Sequence, residues 1–209
     1  MSIQILVATT NPGKIEELNQ LLDLDAQFLG LKDVGPFPEV VEDGKTFVEN
    51  ARKKATEYAR ASGLWTISDD SGLVVDALDG APGVYSARYC GDHTSVRSVV
   101  DKKNIEKVLE QMQDVDQDER TARFMCCICL ANPERVLIET SGSVEGIIAV
   151  AGAGDGGFGY DPIFFLPSLG KTVAQLDAAD KNEVSHRGNA IRTFKPLLSS
   201  LISDTVKGH

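Results

Sequence analysis

Two long runs of strand-forming residues, 123–131 (RFMCCICLA) and 136–148 (VLIETSGSVEGII), are separated by a short turn containing Asn132 and Pro133. Strands this close in sequence pair antiparallel, because a parallel partner needs a crossover of roughly a dozen residues or more. An all-parallel sheet is therefore excluded. The N-terminal part reads differently. Residues 3–8 (IQILVA) form an apolar run of strand length, and a glycine-bearing turn leads from them into an amphipathic helix with Ile15, Leu18, Leu21 and Leu22 on one face. Further along, residues 28–31, 64–68 and 73–78 suggest strands, and about 46–61, 95–112 and 187–203 suggest helices. The order β-α-β-α-β-β-α-β-β-α predicts a mixed α/β fold with adjacent hairpins.

At 209 residues the chain reads as one domain, 1–209, carrying two lobes. No apolar run approaches the ~20 residues needed to span a bilayer, and the N-terminus lacks a basic-then-apolar leader. No membrane partner is expected, and the cytoplasm is the expected location. The net charge of −10 argues against binding nucleic acid, whose affinity comes from many Lys and Arg contacts to phosphates. A small anionic ligand needs only a few local cations and stays open. Cys90, Cys126, Cys127 and Cys129 show no CxxC spacing, and three of them lie in the 124–130 run, which reads them as free core thiols.

Four places collect polar residues where packing does not ask for them. Thr9-Thr10-Asn11-Pro12-Gly13-Lys14 links the first strand to the first helix, with Asn11 as N-cap and Pro12 in the first turn. A helix N-terminus of this kind binds anions well, although the glycine spacing is not that of a Walker loop. Glu42 precedes the second helix, whose apolar stripe of Phe47, Ala51, Ala55, Tyr58 and Ala59 also takes in Lys54. Asp69-Asp70-Ser71 places two carboxylates side by side. Two ionised groups about 4 Å apart repel by roughly 4 kcal/mol at an effective dielectric of ~20, so they need a cation, a proton or opposite orientations. Residues 158–161 (FGYD) and 181–187 supply an aromatic pair, Lys181, His186 and Arg187. Cations for phosphates, carboxylates for a hard divalent cation and an aromatic face for a base together suit a nucleoside polyphosphate. Each motif alone also has a structural reading: a turn for DDSG, packed core aromatics for FGYDP, a helix N-terminus after Ser185 for HR.

In order, the segments ATTNPGKIEEL (8–18), EDGKTFVENARKKA (42–55), SDDSGLVVDALDGAPGVYSARY (68–89), GGFGYDPIFF (156–165) and KNEVSHRGNAI (181–191) closely resemble the inosine triphosphate pyrophosphatase family. The resemblance covers nearly the whole chain. It is weakest at 91–104 and after residue 201. It implies a strongly twisted central sheet, two lobes with a substrate cleft between them, and a homodimer. It also implies hydrolysis of ITP, dITP and XTP to monophosphate and pyrophosphate. By the same resemblance Thr9, Thr10, Asn11, Pro12, Gly13, Lys14, Lys54 and Ser71 contact substrate, and Glu42 and Asp70 hold Mg²⁺, with Asp70 also the proton acceptor. Phe158, Gly159, Tyr160 and Asp161 form the base pocket, and Lys181, His186 and Arg187 complete the substrate contacts. Two other readings are a pyrophosphatase acting on modified pyrimidines and a non-catalytic nucleotide sensor; retention of Glu42, Asp70 and the lysines together speaks against the sensor. If the strand over 64–68 continues, Asp69 and Asp70 face opposite sides, leaving Asp70 for the metal and Asp69 as a brace.

Overall fold

The computed structural model describes residues 3–22, 24, 26–92 and 94–207; the side chains of Pro12, Asn19, Val206 and Lys207 also fall outside the description, as does His93 within the 91–104 segment. The chain folds into a seven-stranded sheet in the order β2-β1-β3-β4-β5-β6-β7. The strands are β1 (Ile3–Val7), β2 (Ala26–Gly30), β3 (Trp65–Val75), β4 (Thr121–Ala131), β5 (Val136–Ile148), β6 (Phe164–Leu166) and β7 (Lys171–Thr172). The helices are α1 (Pro12–Leu22), α2 (Leu31–Val34), α3 (Phe47–Ser62), α4 (Arg97–Gln111), α5 (Ala178–Val184) and α6 (His186–Lys207). β1 pairs parallel with β2 and β3, whereas β5, β6 and β7 pair antiparallel. The mixed α/β class read from the sequence is the class of the fold.

Local chemistry explains the ends of the elements that carry the site. The Asn11 side-chain oxygen accepts from the Gly13 and Lys14 amides at 3.0 and 3.5 Å, so Asn11 caps α1. Thr46 caps α3 by accepting from the Glu49 amide, and Glu49 returns a carboxylate to the Lys45 amide. α3 stops at Gly63, whose φ of 75° is the left-handed conformation that glycine adopts without steric cost.

Three sequence expectations change. The runs 64–68 and 73–78 are one strand: β3 passes straight through Asp69 and Asp70, and 3₁₀ turns replace the strand after Val75. The stretch 33–43, where prolines at positions 36 and 38 predict a loop, begins in the short helix α2. β6, β7 and α5 add elements that no apolar period announces.

The chain divides into two compact units. The first comprises Met1–Asp70, Cys126–Gly142 and Arg187–His209, and the second Ser71–Met125 and Ser143–His186. Each has its own core. In the first, Ile5 and Val7 of β1, Leu18 and Leu22 of α1 and Ile191 and Phe194 of α6 pack together. In the second, Leu73 and Val75 pack with Phe124, Phe164 and Tyr160. Each fully buried aliphatic or Phe side chain contributes about 1.5–3 kcal/mol relative to exposure. Cys126, Cys127 and Cys129 are buried free thiols and Cys90 is half-buried. Burial pushes the Cys127 thiol up to about 11, which makes it inert at neutral pH.

Candidate active site

The register of the parallel strands builds the first half of the site. Val7 lies opposite Ile67, and the Ala8 amide donates to the Ile67 carbonyl at 2.8 Å. The chain therefore leaves β1 through Thr9 beside the point where β3 reaches its aspartates. The carboxyl ends of parallel strands are where open α/β sheets bind ligands, because loops and helix N-termini converge there. Lys14, in the first turn of α1, reaches Asp69 Oδ2 at 3.1 Å. Asp69 Oδ2 also accepts from Arg187 Nη2 at 3.0 Å, and Arg187 Nη1 pairs with Glu17 of α1. Arg187 is 1% exposed, which two carboxylate partners make tolerable, since an unpaired buried charge costs several kcal/mol.

On the other side of β3 the helix α3 faces Asp70. Alternation along a strand sends successive side chains to opposite faces, so the neighbouring carboxylates do not share an environment. Asn50 and Lys54 lie four residues apart on the buried stripe of α3, one above the other. Asn50 Nδ2 donates to Asp70 Oδ2 at 3.0 Å. Lys54 Nζ lies 3.6 Å from Asp70 Oδ1 and 3.2 Å from Glu42 Oε1, and it donates to the Asp69 carbonyl at 2.8 Å. The lysine on the apolar stripe is buried among oxygens rather than extended to water. Lys53, one residue earlier, sits on the polar side and pairs with Asp43.

The two aspartates ionise differently. Burial alone would raise Asp69, but Lys14, Arg187 and Lys54 overcome it and hold that carboxyl well below the usual carboxylate range. Asp70 goes the other way. Burial lifts it to about 6; Lys54 and Lys14 pull it down, Glu42 pushes it further up, and the Asn50 hydrogen bond favours its anion. Lys54 is itself raised: burial opposes its charge, but Asp70, Glu42 and Asp69 keep it an ammonium. Neighbouring acids driven apart in this way differ in charge state: Asp69 stays anionic, whereas Asp70 exchanges its proton closer to neutrality.

The second unit collects the remaining candidates. Lys181 Nζ pairs with Asp161 Oδ2 at 2.7 Å and lies 4.7 Å from the centre of the Phe158 ring. The same Asp161 oxygen accepts from the Phe158 amide at 3.0 Å, folding the loop back on itself. Gly157 makes that closure sterically feasible: its φ is +74°, and a Cβ there would come within 2.0 Å of Asp161 Oδ2. The Gly159 amide donates to Asp101 at 3.2 Å. Tyr160 is a core residue whose hydroxyl donates to the Ser86 carbonyl at 2.9 Å, and burial raises its pKa. His186 stacks on Phe124 with ring centres 4.9 Å apart. Ser71 is half-buried in β3, and Thr10 is exposed. The proposed contact of Pro12 concerns a side chain outside the described residues, although its backbone opens α1.

Two residues of the first cluster escaped the sequence reading. Asn50 is wholly buried, and Glu17 is 9% exposed. Asn50 had a detectable signal, a polar side chain on an otherwise apolar stripe. Glu17 had none beyond standing next to Leu18, because its partner Arg187 is 170 residues away.

The Ham1 family model matches residues 5–197. The dITP/XTP pyrophosphatase of Geobacter sulfurreducens is 49% identical over 196 residues, covering 93% of this chain and 96% of that protein. The structure of a HAM1 protein from Coxiella burnetii aligns with a TM-score of 0.85 at 40% identity, covering 95% of this chain and 99% of that one. The Staphylococcus aureus Ham1 protein aligns with a TM-score of 0.83 at 41% identity, covering 94% and 98%. This chain belongs to the Ham1 family.

Proposed function

We propose that the chain is a nucleoside triphosphate pyrophosphatase that hydrolyses ITP, dITP and XTP to the monophosphate and pyrophosphate, removing deaminated purines before they enter DNA or RNA. The observation that carries this reading is the divergence of Asp69 and Asp70, one held anionic by Lys14 and Arg187, the other raised to about 6 beside Lys54. The activity named for the relatives supports the substrate class.

In the reaction, water attacks the α-phosphorus. A bond forms from the water oxygen to phosphorus, the bond to the oxygen bridging the α- and β-phosphorus breaks, and its electron pair leaves with pyrophosphate. The water proton passes to the Asp70 carboxylate. Lys14, Lys54 and the N-terminus of α1 receive the polyphosphate, and their charge opposes the charge building on the phosphoryl oxygens. Thr9, Thr10, Asn11, Pro12, Gly13 and Ser71 line its path.

A divalent cation fits the donors present. Glu42 and Asp70 already converge on one positive charge, that of Lys54, with oxygens 3.2 and 3.6 Å from it. Among the described residues no group of three or more His, Cys, Asp or Glu converges, so two carboxylates would hold the ion, with water and phosphate completing its shell. Mg²⁺ is the cation we assign to Glu42 and Asp70; bound there it supplies neutralisation of phosphoryl charge and acidifies water.

The purine is assigned to Phe158, Gly159, Tyr160, Asp161, Lys181 and His186. Hypoxanthine and xanthine present an O6 acceptor and an N1–H donor where adenine presents an amino group. A donor aimed at O6, Arg187 or a backbone N–H, favours hypoxanthine and xanthine over adenine, whose amino group cannot accept from it. Guanine shares O6, so its exclusion is steric, at the 2-amino group. We assign a homodimer working in the cytoplasm. Among the described residues no helix is long and apolar enough to cross a membrane.

The test is product identity. ITP incubated with protein and Mg²⁺ is expected to yield IMP and pyrophosphate; IDP with inorganic phosphate, or no turnover, contradicts the reading.

A further inference from the structure

The wholly buried amide of Asn50 bridges two parts of the first cluster. Its Nδ2 donates to Asp70 Oδ2 at 3.0 Å, and its Oδ1 accepts from the Gly44 amide at 2.8 Å. The partners dictate this orientation, because a backbone N–H only donates and an ionised carboxylate only accepts. Gly44 stands two residues after Glu42, so one side chain ties the segment bearing Glu42 to the strand bearing Asp70. The bond to Oδ2 leaves Asp70 Oδ1 as the oxygen turned toward Lys54, which Glu42 also approaches.

Gly44 shows how closely this bridge is built. A Cβ at that position would lie 2.6 Å from Asn50 Oδ1 and 2.8 Å from Glu49 Cβ, closer than real Cβ contacts come. Packing alone does not call for an amide here. The neighbours of Asn50 on the buried stripe are Phe47, Ala51 and Lys54, and an apolar side chain at position 50 would avoid burying an amide.

We infer that Asn50 is a positioning residue that selects the oxygen Asp70 presents to the divalent cation and holds Glu42 in register with it. The inference rests on the metal reading above. Hydrogen bonds to metal-binding carboxylates typically govern metal affinity by about 10–100-fold.

The test uses the full chain with Asn50→Leu, which keeps the branched four-atom side chain and removes both bonds. Mg²⁺ affinity is measured by calorimetry without nucleotide, beside thermal unfolding and the kcat and KM for ITP across Mg²⁺ concentrations. The expected result is Mg²⁺ binding weakened by about 10–100-fold, with kcat recovering as Mg²⁺ is raised and KM for ITP unchanged at saturating Mg²⁺. Gly44→Ala, which displaces the Asn50 amide from the loop side while both Asp70 and Asn50 keep their identities, is expected to weaken Mg²⁺ in the same direction. It decides the matter if Asn50→Leu does not fold. Folded variants that bind Mg²⁺ as wild type does overturn the inference alone. Wild-type protein that binds no Mg²⁺ overturns the metal reading and this inference with it.

Discussion

Lys54 Nζ sits 3.6 Å from the Asp70 carboxylate while donating to the carbonyl of Asp69, so one buried ammonium touches both members of the adjacent acid pair. It reaches Asp70 through the side chain and Asp69 through the backbone. The Asp69 carboxylate is turned instead to Lys14 and Arg187. Repulsion between the neighbours is relieved by facing them apart and giving each its own cations.

Different tasks predict different losses. Asp70→Asn keeps an oxygen that can ligate a cation but cannot take a proton, and kcat is expected to fall at least about 100-fold even at saturating Mg²⁺. Near wild-type turnover in that variant would remove Asp70 as proton acceptor and leave it a ligand only. Asp69→Ala removes the carboxylate shared by Lys14 and the buried Arg187, leaving Arg187 with Glu17 as its carboxylate partner. Its expected signature is lost stability of about 3–5 kcal/mol in denaturant unfolding, with residual turnover exceeding that of Asp70→Ala.

The pH dependence of stability carries a definite sign. Asp70 is raised to about 6 in the folded protein from an ordinary value of 3.8, so between those values the folded state binds the extra proton. Its contribution is therefore favourable at low pH and is lost as pH rises through this window, by an amount on the order of 2–3 kcal/mol. Asp69 acts oppositely: its depressed carboxyl stabilises above pH 3.8, and that stabilisation is lost as pH falls below it. Thermal melts in EDTA are expected to show Asp70→Asn gaining on wild type from pH 4 to pH 7. A difference that stays constant over that range would show that Asp70 does not titrate there.

Removing Lys54 separates binding of the cation from chemistry. Lys54→Met takes away the charge that Glu42 and Asp70 now share. Mg²⁺ is expected to bind the nucleotide-free variant more tightly than wild type, while kcat for ITP drops by about 100-fold for want of charge on the polyphosphate. Weaker Mg²⁺ binding would mean that the two carboxylates do not converge on the cation without the lysine.

What the sequence reveals, and what it hides, follows the range of the interactions. The Asn11 cap and the turn between β4 and β5 are local, closed within a few residues, and were legible. The Asp69-Asp70-Ser71-Gly72 stretch misleads on the same grounds. Its residues favour a turn, yet β3 runs on through it because Lys14 and Arg187, 55 and 118 residues distant, supply the countercharge that makes an extended acid pair tolerable. Arg187 was legible as a candidate substrate contact through family resemblance, but its pairing with Glu17 depends on a contact no local pattern encodes. The helix α5 is short and mostly polar, so it has no apolar period to read.

The central claim is a preference for deaminated purines, and a kcat/KM panel for pyrophosphate release over ITP, XTP, dITP, ATP, GTP and dUTP with Mg²⁺ tests it most directly. ITP, dITP and XTP are expected to exceed ATP and GTP by at least about 100-fold, as leaving a buried hydrogen-bonding group unpaired allows. Comparable values across the purines, or a preference for the pyrimidine, would contradict it.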